Sequence, residues 1–495
     1  MSVRHLLNLV CLVLGLALLA GYGTSKGLAA SDTEGVWAFQ VLHDSTLVDD
    51  CPICGRPTIL QPLRGRFEMR QVAEDPLFAR FEISHVDFTA GSPGGTQYII
   101  TGQGTYRVGG EVAVVQDIYL ELTIDNGFEK KVCYFTNTTS TLERHWPILK
   151  IALGQTNGTL AHLYGIDLSA APIRDLWFST AAAFHPAKKI PGSAISAGDL
   201  ISIDGHVVRR NNDLTGNLGI MPGVPDLGLD AFTVRPGGEL AFSIEQNVFS
   251  ERIGDLHAGD MLSDRGSVIK SYADLLNPFG VQPPVPDPGL DALYLGETDE
   301  VFFSISQDLF SEHLGKSIRR GDLLSSQGSV IKTHEQLLAQ FNPANPKLDP
   351  GLDGVWIWPS GEVWFSVETS FSGTDFQTYA PGDILSDQGY IAFRNVELLA
   401  AFGPVEDLGD FGLDSLYIVS DATPVLPAPQ FTGVHPSIAT GSVDLDWKGT
   451  GHVFQLLRAT EISGPYEPIS PIIPDTHFTD SGGIAGSVFY RLLQW

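Results

Sequence analysis

The segment Asp226-Leu227-Gly228-Leu229-Asp230 decides the fold, because the chain spells its pattern, Asp-x-Gly-Leu-Asp, four times. The first and last aspartates of the copies are Asp226/Asp230, Asp287/Asp291, Asp349/Asp353 and Asp410/Asp414, and successive copies start 61, 62 and 61 residues apart. A repeated unit of this kind cannot bury its apolar face alone and must pack against its neighbours. The spacing therefore predicts tandem repeats that share one interior.

Each unit contains the same series of short apolar runs and turns. An alternating run such as Asp291–Leu295 follows the repeated motif, and a second run ends in Phe-Ser, as at Phe303-Ser304. Gly-Asp-x-x-Ser, as at Gly321-Asp322, precedes a further run, and a short helix follows with a candidate capping box at Thr333–Gln336. The pattern predicts about four strands and one short helix per unit.

Four such units are predicted within residues 165–421, counted from a degenerate copy at Gly165-Ile166-Asp167 and followed by a last strand at Leu413–Val419. The unit loosely resembles a β-propeller blade, since blades have four strands and propellers begin at four blades. This resemblance implies a propeller-like ring. An open, stacked solenoid is the alternative, because periodicity alone does not distinguish closure from stacking.

The regions on either side of the repeats also read as β structure. Ile118, Leu120, Leu122 and Ile124 alternate with polar residues, and Asp125-Asn126-Gly127 has the composition of a two-residue hairpin turn. Residues 31–164 are therefore predicted to form a β-sandwich-like domain. Residues 422–429 have the prolines of a linker.

The C-terminal residues 430–495 contain a strand with Trp447, a turn at Phe478-Thr479-Asp480 and a late strand at Phe489-Tyr490-Arg491-Leu492. These features resemble a fibronectin type III-like domain without its last strand. The resemblance implies a β-sandwich that serves as a spacer or protein contact, as is common at the ends of large secreted bacterial proteins.

The N-terminus and the charge indicate an exported protein. Arg4 precedes an apolar run from Leu6 to Ala20, which is short for a membrane span, so residues 1–30 are predicted to be a signal peptide. We expect a secreted, periplasmic or cell-surface protein with no membrane span after signal removal. The net charge is −28, and residues 165–421 contain 36 acidic and 15 basic residues. Such a field repels nucleic acid and attracts cations, so the expected partner is an extracellular protein or glycan.

Three cysteines follow the predicted signal: Cys51, Cys54 and Cys133. Cys51-Pro52-Ile53-Cys54-Gly55 resembles the knuckle of rubredoxin-like and zinc-ribbon sites, which implies a zinc site, but the chain has no second knuckle. In an oxidising compartment a disulfide between two of the three is the favoured interpretation. A redox-active pair is a further alternative.

The repeated carboxylates are the candidate ligand site. The two aspartates of each copy stand four residues apart across a glycine, and hard oxygen ligands suit Ca²⁺. The candidate Ca²⁺ ligands are thus Asp226, Asp230, Asp287, Asp291, Asp349, Asp353, Asp410 and Asp414. In a propeller, equivalent aspartates would also face one another around the axis. The structural alternative is that each aspartate accepts backbone N–H bonds and fixes the turn.

The sequence gives little support for catalysis. It contains no Gly-x-Ser-x-Gly elbow, no His-Glu-x-x-His and no phosphate-binding glycine loop. Trp356, Trp358 and Trp364 suit either sugar stacking or the core. The favoured hypothesis is a non-catalytic binding or scaffold protein, with Ca²⁺ as its one candidate cofactor. The alternative is an extracellular hydrolase of polysaccharide or protein that uses carboxylates on the repeat loops.

Overall fold

A computed structural model describes residues 35–92, 94–111, 113–187, 194–221, 226–296, 298–422, 426–437, 439–482 and 487–495. Its secondary structure is mainly β, as the sequence predicts. The predicted signal peptide and three residues of the predicted linker, 423–425, lie outside the described residues. Within the described ranges no helix combines the length and the apolar character that crossing a membrane requires.

The N-terminal part is one antiparallel sheet closed into a barrel. Its strands are β1 (Val36–Val41), β2 (Thr46–Asp50), β3 (Ile59–Glu74), β4 (Phe78–Ala90), β5 (Tyr98–Gly109), β6 (Val115–Asp125), β7 (Lys130–Asn137), β8 (Leu149–Gln155) and β9 (Leu163–Ala171). Strands β3 to β9 pair in chain order, and β1 and β2, one after the other, fill the gap between β9 and β3. The predicted sandwich-like domain is therefore a closed barrel, which leaves no free sheet edge.

The barrel interior follows from strict alternation along the strands. In β6, Ile118, Leu120, Leu122 and Ile124 are buried while Tyr119 and Glu121 point outward, as predicted. The hairpin that follows differs from the prediction. Asp125 pairs with Lys130, so the turn has four residues rather than two, because the Asn126 side chain accepts N–H bonds from Phe128 and Glu129 and extends it.

Four four-stranded antiparallel sheets form the middle of the protein. In order from inner to outer strand, sheet 1 contains β31 (Ser415–Ser420), β10 (Ile173–Ser179), β11 (Leu200–Ser202) and β12 (His206–Arg209). Sheet 2 contains β13 (Phe232–Arg235), β14 (Glu239–Phe242), β17 (Met261–Ser263) and β18 (Ser267–Lys270). Sheet 3 contains β19 (Leu293–Leu295), β20 (Val301–Phe303), β23 (Leu323–Ser325) and β24 (Ser329–Lys332). Sheet 4 contains β25 (Val355–Ile357), β26 (Val363–Phe365), β29 (Ile384–Ser386) and β30 (Tyr390–Phe393).

The four sheets close into a ring rather than an open stack, and the identity of this ring as a propeller stays a prediction. Their inner strands contact one another in a complete cycle, β31 to β13, β13 to β19, β19 to β25 and β25 back to β31. Closure depends on β31, which comes from the end of the repeat region and pairs with β10, at its start. Apolar clusters between neighbouring sheets hold the ring, for example Met261 and Leu276 packed with Phe303 and Leu324.

The start of the repeats differs from the prediction. Gly165, Ile166 and Asp167, interpreted from the sequence as a degenerate first copy, lie in β9 and pair with β2 and β8 of the barrel. The predicted boundary between residues 164 and 165 thus falls inside a barrel strand. Sheet 1 needs no copy there, because its inner strand is β31 and the fourth copy, Asp410–Asp414, leads directly into it.

Short elements at the outer side of the ring complete the units. The two-stranded hairpins are β15 (Val248–Ser250) with β16 (Gly254–Leu256), β21 (Leu309–Ser311) with β22 (Lys316–Ile318), and β27 (Phe371–Ser372) with β28 (Thr378–Tyr379). The helices are α1 (Asn211–Thr215), α2 (Tyr272–Leu276), α3 (His334–Leu338) and α4 (Asn395–Leu398). Thr333 and Gln336 cap α3 reciprocally, as predicted, and Ser271 and Asp274 do the same for α2.

The C-terminal part consists of two facing three-stranded sheets. One contains β32 (Gln430–Ser437), β33 (Ser442–Lys448) and β36 (His477–Asp480), and the other contains β35 (Glu467–Pro468), β34 (Phe454–Ala459) and β37 (Phe489–Gln494). Trp447, Phe454 and Tyr490 lie in the apolar cluster between them. The two sheets form a small sandwich, hereafter the C-terminal sandwich. Its fibronectin type III-like identity stays a prediction.

Candidate cation site

The first aspartate of each copy fixes a turn, as the structural alternative proposed. Asp349 accepts the N–H of Gly351 at 3.0 Å and the N–H of Gly321 in the preceding Gly-Asp turn at 3.3 Å. Asp226, Asp287 and Asp410 accept the equivalent pairs of glycine N–H groups. Each of these aspartates therefore joins two turns of the ring, and its oxygens are engaged by the backbone.

The second aspartates lie at the inner end of every unit, where the ring is narrowest. An inner strand begins one residue after Asp414 and two residues after each of the other three, Asp230, Asp291 and Asp353. Because the inner strands contact one another in a cycle, the four carboxylates come together from four different sheets. The equivalent aspartates of different copies therefore face one another, as the sequence analysis expected of a ring, and the assignment of a Ca²⁺ ion to any of these aspartates stays a prediction.

Two glutamates that the sequence analysis missed join this cluster. Glu368 follows Phe365-Ser366 in the pattern Phe-Ser-x-Glu, and Glu245 stands at the equivalent position after Phe242-Ser243. One oxygen from each of Asp291, Asp353 and Glu368 lies within 4.8 Å of the other two. We call Asp230, Asp291, Asp353, Asp414, Glu245 and Glu368 the axial carboxylate cluster. The recurrence of Phe-Ser-x-Glu in two units is the sequence pattern from which these two glutamates could have been predicted.

Glycine makes room for these glutamates. Gly351 has a φ of 79°, and a Cβ there would stand 2.2 Å from Glu368 Oε1. Gly228 has a φ of 75°, and its Cβ would stand 2.3 Å from the Glu245 carboxyl. The glycine of Asp-x-Gly-Leu-Asp thus permits both the left-handed turn and the close approach of a carboxylate.

Burial and mutual repulsion favour the neutral forms of these acids. Burial and the charge of Asp291 raise the pKa of Glu368 to about 8, although Arg320 at 2.6 Å opposes the shift. Burial and the charges of Glu245 and Asp291 raise the pKa of Asp414 to about 7. Burial, together with Asp414 and Asp291, also raises the pKa of Asp353 well above its usual range. Without a counter-charge, the cluster holds protons at neutral pH.

Two carboxylate oxygens of the cluster have no hydrogen-bond partner. Oδ2 of Asp414 and Oε1 of Glu368 are buried and unpartnered, and Asp414 as a whole is only 8 % exposed. An unsatisfied buried oxygen costs about 1–3 kcal/mol, so such atoms in a folded protein call for a ligand or a proton. A divalent cation beside Glu368 would satisfy its unpartnered oxygen and weaken the repulsion among the neighbouring carboxylates.

The four aspartates of the Gly-Asp-x-x-Ser turns have a structural role. Asp260 accepts the N–H groups of His257 and Tyr272, and Asp322 accepts those of Arg319 and His334. These bonds tie the turn before the third strand to the start of the short helix. These aspartates do not belong to the axial carboxylate cluster.

The cysteines are far from this chemistry. Cys51 and Cys54 form a disulfide with a Cα–Cα distance of 5.3 Å, whereas Cys133 is a free thiol in the barrel core, and burial raises its pKa. Among the described residues the group with metal-ligand spacing consists of carboxylates alone. The arrangement agrees with the disulfide interpretation rather than with a zinc knuckle.

Comparison with known proteins does not assign a family. The sequence matches no protein-family model and no curated protein. Among solved structures, one similar chain is the extracellular domain of a Bacteroides protein (B. thetaiotaomicron) described as a hybrid two-component system. The identity is 9 %, the alignment covers 90 % of this chain and 82 % of that one, and the TM-score is 0.21. A likeness of that size carries no argument about function.

Proposed function

We propose that the protein is a non-catalytic extracellular binding and scaffold protein whose propeller-like ring is stabilised by one Ca²⁺ ion in the axial carboxylate cluster. The observation that carries the proposal is the convergence of Asp291, Asp353 and Glu368 within 4.8 Å, together with the buried, unpartnered Oε1 of Glu368. Asp291 belongs to sheet 3, and Asp353 and Glu368 belong to sheet 4, so the ion would join two neighbouring sheets and thereby support ring closure.

The ligand chemistry favours Ca²⁺ over smaller cations. Two oxygens that both contact Ca²⁺ at about 2.4 Å stand at most about 4.8 Å apart, and the oxygens of Asp291, Asp353 and Glu368 lie within that limit. All of the available ligands are oxygens, and Ca²⁺ accepts six to eight of them in a flexible arrangement. Mg²⁺ requires shorter distances and near-octahedral geometry, so we expect it to bind more weakly.

The binding surface of the proposed scaffold is formed by loops of the ring. The exposed phenylalanines Phe249, Phe310 and Phe376 lie on or beside the outer hairpins, and they are 59 %, 58 % and 91 % exposed. The acidic charge disfavours nucleic acid and anionic membranes. A protein or glycan is therefore the partner class that we propose, and its identity is open.

Thermal denaturation with and without metal tests the cation. We expect Ca²⁺ at about 1 mM to raise the melting temperature by several °C relative to EDTA, because an ion that binds only the folded state stabilises it. Asp353→Asn should abolish this response, and in EDTA at about pH 8 it should melt higher than the wild type because it removes repulsion. Asp407→Asn, a matched change on an exposed loop, should behave as the wild type. A melting temperature that is the same in EDTA and in Ca²⁺ overturns the cation proposal.

The hydrolase alternative has its own readout. Glu368, with its raised pKa, stands beside Asp291, and one acid next to one carboxylate is the arrangement that acid–base hydrolysis uses. Turnover of a polysaccharide or protein panel by the wild type, lost in Glu368→Gln and kept in Asp407→Asn, would replace the non-catalytic proposal. Specific binding to a panel member without turnover would support the non-catalytic proposal.

A further inference from the structure

A second feature occupies the other end of the inner strands, away from the carboxylates. A cavity of about 470 Å³ lies between the ring and the C-terminal sandwich. Its ring side is formed by residues within the inner strands and just beyond their carboxyl ends, and its far side includes His452 and Trp495 of the sandwich. The second aspartates precede the amino ends of the same strands, and none of them lines the cavity.

The floor of the cavity comes from one position of the repeat. The residue three positions after the second aspartate lines the cavity in all four copies. These residues are Thr233, Tyr294, Trp356 and Tyr417. Three of them are aromatic and pack edge to face. The ring centroids of Tyr294 and Trp356 are 5.3 Å apart at 89°, and those of Trp356 and Tyr417 are 5.5 Å apart at 83°. The repeat thus places three aromatic rings in contact with one another in the floor of the cavity.

The far wall is held in place by hydrogen bonds between the two parts. The N–H of Gly237 in the ring donates to Gly451 O at 2.8 Å, and Trp495 Nε1 donates to Asp421 at 2.8 Å. His452 Nδ1 lies 3.4 Å from the Tyr417 hydroxyl. The cavity is therefore formed before any ligand arrives, which lowers the cost of binding.

The lining carries almost no charge. Among its side chains only that of Asp299 is a carboxylate, and it is exposed. Burial lowers the pKa of His452, so its imidazole is neutral at pH 7. An ionised ligand would lose its hydration here without gaining a counter-charge, whereas a flat apolar face would contact the indole and phenol rings.

We propose that this cavity, between the aromatic floor and the C-terminal sandwich, is a binding site for an uncharged small molecule with an aromatic or otherwise flat ring. Its volume lies within the range of known ligand sites, roughly 300–1,000 Å³. The inference goes beyond the cation proposal and does not depend on it, because no member of the axial carboxylate cluster lines the cavity.

A matched pair of fluorescent probes tests both the site and its preference for uncharged ligands. N-phenyl-1-naphthylamine is uncharged, and 8-anilino-1-naphthalenesulfonate has the same ring system with one negative charge. We expect the full chain to bind one molecule of the uncharged probe saturably. The sulfonate should bind at least about tenfold more weakly, because burying its charge without a counter-charge should cost at least about 1.4 kcal/mol of binding free energy.

Cavity-filling substitutions locate the bound probe. Thr450 is exposed and lines the cavity, so Thr450→Trp should weaken binding at least about tenfold. Thr460→Trp, on an exposed turn of the same sandwich, should bind as the wild type. Pro359→Trp fills the cavity from the ring side and serves as the second variant if Thr450→Trp does not fold. Undiminished binding in a folded cavity-filling variant, equal binding of the two probes, or no saturable binding overturns the proposal.

Discussion

At the level of single residues, the two aspartates of one motif have different surroundings, although both recur in every copy of the repeat. Asp349 accepts two backbone N–H groups, whereas Asp353, four residues later, faces the carboxylates of other sheets. The glycine between them decides this difference, since a left-handed residue reverses the chain within the motif. The sequence identified the eight candidates, but the choice between turn and ligand depended on long-range placement.

Gly351 is the residue whose substitution best separates backbone strain from crowding of the cluster. Gly351→Ala should destabilise the protein by about 2–4 kcal/mol, since an alanine in the left-handed region costs about 1–2 kcal/mol and its Cβ would also displace Glu368. Gly361→Ala is the control, because its φ is 84° and nothing lies within 4 Å of the added Cβ. Urea unfolding measures both. Equal losses in the two variants would show that Gly351 makes no room for Glu368.

The axial carboxylate cluster makes the stability of the metal-free protein depend on pH. The pKa values of Glu368 and Asp414 rise to about 8 and about 7 on folding, from 4.5 and 3.8. Between these values the folded protein retains protons that the unfolded chain has released, so the free energy of unfolding falls as pH rises.

In EDTA we therefore expect the melting temperature to fall by several °C between about pH 5.5 and about pH 8.5. Ca²⁺ should reduce this slope, because the bound ion stabilises the ionised carboxylates. Burial also raises the pKa of Asp175 in sheet 1 to about 7. Asp175 should therefore contribute to the pH dependence of the melting temperature equally in EDTA and in Ca²⁺. A slope that Ca²⁺ leaves unchanged would contradict the account.

At the scale of elements, one side-chain hydrogen bond recurs between successive sheets. The serine of each Phe-Ser pair donates to the leucine carbonyl of the next Gly-Leu-Asp: Ser179 to Leu229, Ser243 to Leu290, Ser304 to Leu352 and Ser366 to Leu413. All four serines are completely buried. These bonds connect the second strand of each sheet to the turn before the inner strand of the next, around the whole ring.

Removing one of these bonds should cost more than a surface substitution. Ser304→Ala leaves the buried Leu352 carbonyl unsatisfied, and we expect a loss of about 1–3 kcal/mol in unfolding free energy. Ser329→Ala on the exposed face of β24 should change it by less than about 0.5 kcal/mol. Denaturant unfolding of the two variants provides the comparison. If the Ser304→Ala and Ser329→Ala proteins are equally stable, the bond from Ser304 to Leu352 does not stabilise the ring.

Local patterns predicted the elements well, and long-range pairing explains what they missed. The alternation in β6 and the capping box of α3 depend on neighbours in sequence, and both are confirmed. Barrel closure and the pairing of β31 with β10 depend on residues far apart in sequence, which periodicity does not encode. Glu368 was missed for the same reason, because its partners Asp291 and Arg320 belong to another sheet.

At the scale of the whole molecule, the ring is in contact with both flanking parts. Of the barrel residues, Arg64 forms an ion pair with Glu397 beside sheet 4, and His43 lies within hydrogen-bond distance of the same carboxylate at 3.0 Å. The Arg144 guanidinium lies 3.3 Å from the centre of the Tyr390 ring. Val453 and Ile472 of the C-terminal sandwich share an apolar cluster with ring residues. The axial carboxylate cluster and the aromatic cavity thus belong to one assembly in which the ring is the central part.

The number of calcium ions bound per chain distinguishes one shared axial site from separate sites in each copy. The full chain is equilibrated with Ca²⁺, dialysed, and analysed for bound calcium per chain by atomic emission. The account predicts one tightly bound ion, lost in Asp353→Asn and retained in Asp407→Asn. Four ions per chain, or none, would contradict it.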